Sequence, residues 1–286
     1  MSVSLPRDFV RVNHARKCPI CGRHDWCLIR RDGSAALCPR TPSERSWGEW
    51  GFLHQVKDGP RFAVASVERE PPPRKLENIE GLICKYEKGL DVGKAKRLAI
   101  RLGVHFASLV GLRMGWSYYH AAFTFPMYDA LRRPIGLRLR NDLGQKWSVA
   151  GSRNGLFIPY YTPEQVAETN EWYVVEGPTD TAALLSVGLA AIGRPNDRGG
   201  GEFIAQWIAA QGRAMHAVVV LDAGDSGIEG GCALAAMLHA RRLCASVRTL
   251  LPPYGHKDAR RWVRAGADAA QVRAAAAAQP AYRGAA

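Results

Sequence analysis

Apolar positions recur at two different spacings along this chain, and the change from one to the other divides it. Residues 92–102 place apolar side chains three and four apart and predict a helix. Ala122–Met127 and Ile135–Leu139 read as two strands, with Arg132-Arg133-Pro134 turning between them. From Trp172 strands and helices alternate. Trp172–Val175, Ala190–Gly193, Ala217–Leu221 and Ala245–Leu251 predict strands, and Thr179–Val187, Phe203–Gln211 and Cys232–Arg242 predict helices. That order implies an α/β class in which a parallel sheet is flanked by helices. Past about residue 270 the chain is Ala-rich with a late Pro280, which predicts a frayed helix.

The amino-terminal stretch has no long apolar run and is rich in Cys and Trp. Glu68-Arg69-Glu70 followed by Pro71-Pro72-Pro73 reads as an extended spacer. The expected organisation is a Cys-rich domain over 1–56, a linker over 57–76 and a small basic α+β subdomain over 77–165. An α/β domain over 166–270 and a tail over 271–286 complete it. No internal repeat is visible.

Composition narrows the function. The 286 residues carry 39 Lys+Arg against 26 Asp+Glu, a net charge of +13, so a polyanion is the first partner to consider. A hydrophobic fraction of 47% excludes wholesale disorder. No run reaches the ~18 apolar residues of a membrane span, and the start lacks the apolar core of a signal peptide. The expectation is a cytoplasmic protein with no membrane partner.

Four of the seven cysteines (Cys18, Cys21, Cys27 and Cys38) crowd into the first 38 residues. Cys18-Pro-Ile-Cys21-Gly22 has the spacing of a metal knuckle, two thiolates turned toward one ion. Asp32-Gly33 is a two-residue hairpin signal. In that register Arg31 faces Ser34 and, further out, Cys27 lies opposite Cys38, close enough to share a tetrahedral zinc. A structural Zn²⁺ on Cys18, Cys21, Cys27 and Cys38 is the expectation, with His24 the rival for the fourth position and His14 more remote. Arg16, Lys17, Arg23, Arg30, Arg31 and Arg40 surround the cluster. Trp26 and Trp47 either stack on bases or pack a small core. Cys84, Cys232 and Cys244 read as buried small hydrophobes.

In the second half, Tyr173-Val174-Val175-Glu176-Gly177-Pro178-Thr179-Asp180 puts a Glu at the carboxyl end of a strand and an acid at the entry to a helix. Val218-Val219-Val220-Leu221-Asp222-Ala223-Gly224-Asp225 repeats the arrangement, and Gly255-His256-Lys257-Asp258 adds an acid beside a base after the next strand. Ligands of open α/β sheets collect at carboxyl strand ends. Carboxylates converging there need a divalent cation between them, and oxygen ligands suit Mg²⁺ or Mn²⁺. Asp180 also reads as an early-helix acid, and Asp258 as a helix N-cap.

The middle segment, Arg113 to Arg153, holds seven basic residues (Arg113, Arg132, Arg133, Arg138, Arg140, Lys146, Arg153) against Asp129 and Asp142. In Gly136-Leu137-Arg138-Leu139-Arg140 the arginines alternate with leucines, so both leave one strand face while the leucines enter the core. Such a face suits phosphate, with Lys146 and Arg153 extending it.

VVEGPTD, then VVVLDAGDSG, then PPYGHKD resembles the TOPRIM domain shared by bacterial-type primases, topoisomerases and some nucleases. Ala122–Phe157 resembles the basic subdomain that precedes TOPRIM in bacterial and phage primases, and a Cys-type zinc ribbon at the amino end completes the primase order. The resemblance implies a helicase-less DNA primase, making short RNA primers on single-stranded DNA from nucleoside triphosphates. Glu176, Asp222 and Asp225 would be catalytic and hold Mg²⁺ or Mn²⁺, with Asp180 and Asp258 supporting or binding a second ion. Arg138, Arg140, Lys146, Arg153 and Lys257 would bind nucleic acid or nucleotide, and the ribbon would read the initiation site. No phosphate-loop motif occurs, which implies a separate replicative helicase as partner. A phage or plasmid replication context fits so compact a form. One departure stands out: Asp222-Ala223-Gly224-Asp225 is one residue longer than the family's Asp-x-Asp. It leaves a TOPRIM nuclease, or a catalytically weak DNA-binding relative, as alternatives.

Overall fold

The computed structural model describes residues 8–46, 51–56, 78–160 and 169–282. The predicted linker over 57–76 and Trp47 lie outside them. Two compact units, Met1–Pro72 and Pro73–Ala286, make up the chain.

The first unit is an antiparallel sheet of β1 (Phe9–Arg11), β2 (Leu28–Arg30), β3 (Ala35–Cys38) and β4 (Phe52–Gln55), in that order. Leu28 pairs with Leu37 and Ile29 with Ala36. Extended outward, that register sets Cys27 opposite Cys38, as the sequence predicts. The turn differs: Gly33 N–H closes it on the Arg30 carbonyl at 2.8 Å, making Arg31-Asp32 the central pair. Only Gly33 is left-handed (φ 75°), so this is not the turn with two positive φ values that an Asp-Gly pair suggests. The Asp32 carboxylate accepts from the Ser34 N–H (2.9 Å) and hydroxyl (2.7 Å), which pins the turn one residue earlier without shifting the pairing.

β3 is buried on both faces. Ala35 and Leu37 pack with Phe9 and Leu28, while Ala36 and Cys38 pack with Ile29, Val12, Cys18 and Cys27. Strand alternation thus separates an apolar side from a thiol side.

The second unit opens with helices Ile79–Lys88, Val92–Leu102 and Phe106–Gly111. They precede an antiparallel sheet of β5 (Gly115–Ser117), β6 (Ala122–Tyr128), β7 (Pro134–Arg140) and β8 (Lys146–Ser148). Next comes a parallel sheet in the order β10-β9-β11-β12, formed by β9 (Glu171–Glu176), β10 (Ala191–Arg194), β11 (His216–Val220) and β12 (Ser246–Leu250). Helices Gly177–Ser186, Gly201–Ala209 and Asp225–Ala240 connect its strands. The last helix begins seven residues before the predicted Cys232, because Gly227, Gly230 and Gly231 hide its early turns from a propensity reading. The predicted tail helix is present as Ala269–Ala277, anchored by buried Val272 and Ala276 and by an Asp268/Gln271 capping box.

Both faces of the parallel sheet are covered. Tyr173, Val175, Val218, Val220 and Leu250 face one core, and Trp172, Val174, Ile192, Ala217, Val219 and Val247 the other. This double burial is why these strands read as unbroken apolar runs. The first core also takes in Trp116, Phe123, Phe125 and Met127 from the antiparallel sheet. Phe157 and Gly193 exchange backbone hydrogen bonds of 2.8 and 3.0 Å. The basic subdomain and the acid-bearing domain therefore share a core, and their side chains hold a set relation. Among the described residues no helix is long and apolar enough to cross a membrane.

Candidate zinc centre and candidate active site

The Sγ atoms of Cys18, Cys21, Cys27 and Cys38 all lie within 4.8 Å of one another. Cys21 and Cys27 are 3.6 Å apart and Cys27 and Cys38 3.8 Å. A tetrahedron of thiolates at ~2.3 Å from zinc has edges of about 3.8 Å, so the donor set and spacing fit that ion. The knuckle is closed by the Gly22 N–H to the Cys18 carbonyl (2.9 Å) and the Cys18 N–H to the Arg23 carbonyl (2.7 Å). Gly22 takes φ 69° there. Cys27 Sγ completes the group of four thiols, whereas His24 stacks on His14, ring centroids 3.8 Å apart.

The thiols compete for charge. Burial, with the Cys21 and Cys18 thiols beside it, pushes Cys27 well up. For Cys21, burial is outweighed by the Arg23 N–H and the other three thiols, which bring it down to about 7. A divalent cation resolves that competition by making all four thiolates favourable. Arg40 reinforces the centre, donating to Cys27 Sγ (3.5 Å) and to the Asp25 carbonyl (2.9 Å) while pairing with the Asp25 carboxylate (3.0 Å). Trp26, 71% exposed at φ 64°, packs no core and presents its ring to solvent. Cys84, Cys232 and Cys244 are half-buried rather than buried.

The acids of the second unit gather at the carboxyl end of the parallel sheet without closing on one point. Glu176 ends β9 and is pushed up by burial, with Arg194 opposing and Asp197 adding to the effect. Asp222 follows β11 and is pushed up to about 7 by burial and by Asp180, Glu176 and Asp258. Asp180 is buried in the first turn of its helix. Burial and Asp258 push it up to about 6 against the Arg260 N–H, which it accepts at 3.0 Å. Asp258 caps the helix Ala259–Arg264 through the Arg261 N–H (2.7 Å), and it is buried beside Asp180. The N-cap role and the place among the acids therefore coincide.

Asp225 stands apart. Gly224 adopts φ 132°, ψ 151°, a conformation open essentially to glycine alone, and Asp225 is the exposed first residue of the following helix. Asp222 is set by close packing instead: a Cβ on Gly227 would meet the Asp222 carbonyl oxygen at 2.5 Å. The Ala223 N–H donates to the Lys257 carbonyl (2.6 Å), tying this loop to the one carrying Lys257 and Asp258.

The basic strand keeps the alternation that its sequence predicts. Leu137 and Leu139 are fully buried, and Arg138 and Arg140 are half-buried. Arg138 donates to Asn154 Oδ1 and the Pro195 carbonyl, both at 3.3 Å. The positive field of Arg140 reaches Asp180. Lys146, paired with Arg140 in the sheet and exposed, acts on Glu176 and Asp180, and Lys257 acts on Glu176 and Asp222. Arg153 lies elsewhere: its N–H bonds to the Ile135 carbonyl (2.9 Å), at the other end of the hairpin from Arg140.

Arg194 is absent from the sequence reading. It pairs in register with Glu176, is only 3% exposed, and donates to the carbonyls of Asp197 and Gly230. An arginine closing the short apolar strand Ala-Ile-Gly-Arg is the signal that could have found it, since a buried cation needs a partner.

No protein-family model matches the chain, and no curated protein matches it by sequence. Solved structures do. The Escherichia coli primase catalytic core is 17% identical over 70% of this chain and 79% of that one, with a TM-score of 0.55. The zinc-binding and RNA polymerase domains of Aquifex aeolicus primase are 13% identical over 98% of this chain and 81% of that one, TM-score 0.57. A DnaG primase catalytic domain bound to single-stranded DNA is 17% identical over 71% and 77%, TM-score 0.55. The fold is thus that of the bacterial primase catalytic core. Its amino-terminal unit carries the four-cysteine centre that a zinc-binding domain requires.

Proposed function

We propose that this protein is a DNA primase, a nucleotidyltransferase that makes short primers on single-stranded DNA. The observation carrying this reading is the meeting of two opposite surfaces in one shared core. Mutually repelling acids (Glu176, Asp180, Asp222, Asp258) at the strand ends face Arg140 and Lys146 of the antiparallel sheet. The primase-core fold supports it, as does the single-stranded DNA bound by one structural neighbour.

The oxygen donors suit Mg²⁺ or Mn²⁺, held chiefly by Glu176 and Asp222 with Asp180 and Asp258 behind them. Such ions supply Lewis-acid activation of a hydroxyl and neutralise charge on the phosphates. Arg140 and Lys146 hold the triphosphate or template backbone by charge-assisted hydrogen bonds. Arg194, buried beside Glu176, favours its charged form through its positive field. The bond formed joins the primer 3′-oxygen to the α-phosphorus, the bond broken frees pyrophosphate, and the hydroxyl proton passes to solvent. Asp225, exposed and one residue beyond the family spacing, serves as an outer carboxylate. The net charge of +13 supports the polyanionic template, and a separate helicase is the expected partner.

The test is primer synthesis on mixed single-stranded templates with labelled nucleotides and Mg²⁺ or Mn²⁺, wild type beside Glu176→Gln. Short products from wild type, reduced at least about a thousandfold in the variant, are expected. Equal activity in both overturns the assignment of the acids. Shortened template without nucleotides points to the nuclease alternative instead.

A further inference from the structure

At the other end of the hairpin from Arg140 lies a cavity of about 450 Å³, lined by Glu80, Arg113, Tyr128, Arg132, Ile158 and Tyr160. Phe123 pairs with Arg140 and Tyr128 with Pro134. The two ends are therefore a strand length apart, roughly 20 Å, and the cavity is no part of the acid-bearing face.

Three residues of its wall stand out. Tyr128 is 7% exposed, and among the described residues its buried phenolic oxygen meets no hydrogen-bond partner. Burial pushes that phenol up to about 12, so it remains a proton donor at neutral pH. Arg113 and Arg132 both sit in the left-handed region, at φ 55° and 61°. Arg113 follows a helix end and Arg132 closes the β6–β7 turn, places where Gly or Asn is the unstrained choice. An arginine is strained in that conformation, and both side chains line the same cavity. Arg113 is neutralised by Glu80 (2.6 Å) and Glu87 (2.7 Å). Among the described residues no carboxylate pairs with Arg132, which gives one N–H to the Pro159 carbonyl (2.9 Å).

The chemistry of the wall describes its ligand. Arg132 and the Tyr128 hydroxyl offer donors to one anionic group. The Glu80 carboxylate is an acceptor suited to hydroxyls. Ile158 and the Tyr160 ring, with the Arg113 guanidinium carbon 5.6 Å from its centroid, offer surfaces to a flat ring. We infer that this cavity is a second binding site, for a nucleoside monophosphate, with the phosphate at Arg132 and Tyr128 and the base against Tyr160. It is independent of the proposed primase chemistry.

The test is calorimetric titration of the full, zinc-loaded chain with AMP, without added Mg²⁺, beside inorganic phosphate and adenosine. One saturable AMP site is expected, with both fragments binding more weakly. Tyr128→Phe and Arg132→Gly should each weaken AMP about tenfold, the worth of a charge-assisted hydrogen bond. Both should melt no lower than wild type, since one removes an orphaned hydroxyl and the other relieves a left-handed arginine. Purely structural roles predict the opposite: lower melting and unchanged affinity. AMP affinity unaltered in both variants, or no saturable binding at about 1 mM, overturns the site. Phosphate binding as tightly as AMP overturns the nucleoside part of it.

Discussion

The two candidate metal centres of this chain are built in opposite ways. The cysteines come from 21 consecutive positions, and their sulfurs already lie within 4.8 Å of one another. The acids come from three strand ends spread between Glu176 and Asp258. Among the described residues they form no group as tight as the four thiols. A cage closed by local chain geometry holds its ion as part of the fold. An open set of repelling carboxylates, facing arginine and lysine, suits ions that arrive with a phosphorylated substrate.

The largest effect expected from breaking this contrast lies at the cage. Cys27→Ser should remove the bound zinc and with it the order of the first unit, because structural zinc contributes about 10–16 kcal/mol in small metal-dependent domains. Zinc analysis with hydrogen exchange checks it: protection should vanish over β1–β4 and persist over the parallel sheet. Loss of protection in both units would contradict their separation.

The open site should respond to packing next. Gly227→Ala places a Cβ against the Asp222 backbone, and nucleotidyl transfer should fall about a hundredfold while zinc content stays unchanged. Wild-type activity in that variant would mean that Asp222 needs no such placement.

Smaller is the effect of charge. The Asp222 carboxyl is pushed up to about 7 from the ordinary 3.8, so the folded state holds a proton that the unfolded chain has released. Without divalent ions, stability should therefore fall as pH rises from about 4 through about 7. Asp222→Asn abolishes that penalty. It should raise the melting temperature by roughly 2–6 °C at about pH 8 and have little effect near pH 4. Equal shifts at both pH values would point to packing rather than charge. Mg²⁺ should raise the wild-type melting temperature at about pH 8 and leave the variant nearly unmoved.

Smallest is Asp225→Ala, which should reduce primer synthesis less than about tenfold, against the far larger loss expected for Glu176→Gln. Comparable losses would mean that Gly224 swings Asp225 inward when substrate binds.

Much of this was legible in the chain. Periodicity placed the parallel strands to within a residue or two, because strands buried on both faces are written as apolar runs. Hairpin register placed Cys27 opposite Cys38 even though the turn itself formed one residue earlier. The Leu/Arg alternation of β7 told which side chains enter the core and which leave it. Arg194 was legible only as a charge closing an apolar strand, since its burial depends on carbonyls contributed by residues 197 and 230. The separation of Arg153 from Lys146 was not legible, since it follows from the direction β8 takes away from Arg140.

Local chemistry, then, was determined by the sequence alone. Thiol spacing, strand alternation and capping residues act over a few bonds or a single turn, where covalent geometry leaves few choices. Tertiary structure decided that the acids form no group as tight as the thiols among the described residues, that Asp225 is exposed, and that two left-handed arginines and a buried tyrosine meet in one cavity. Those outcomes depend on packing between segments up to 80 residues apart, as in the bond from Arg260 to Asp180. Close-packed contact at that range is set by the whole core rather than by any stretch of chain.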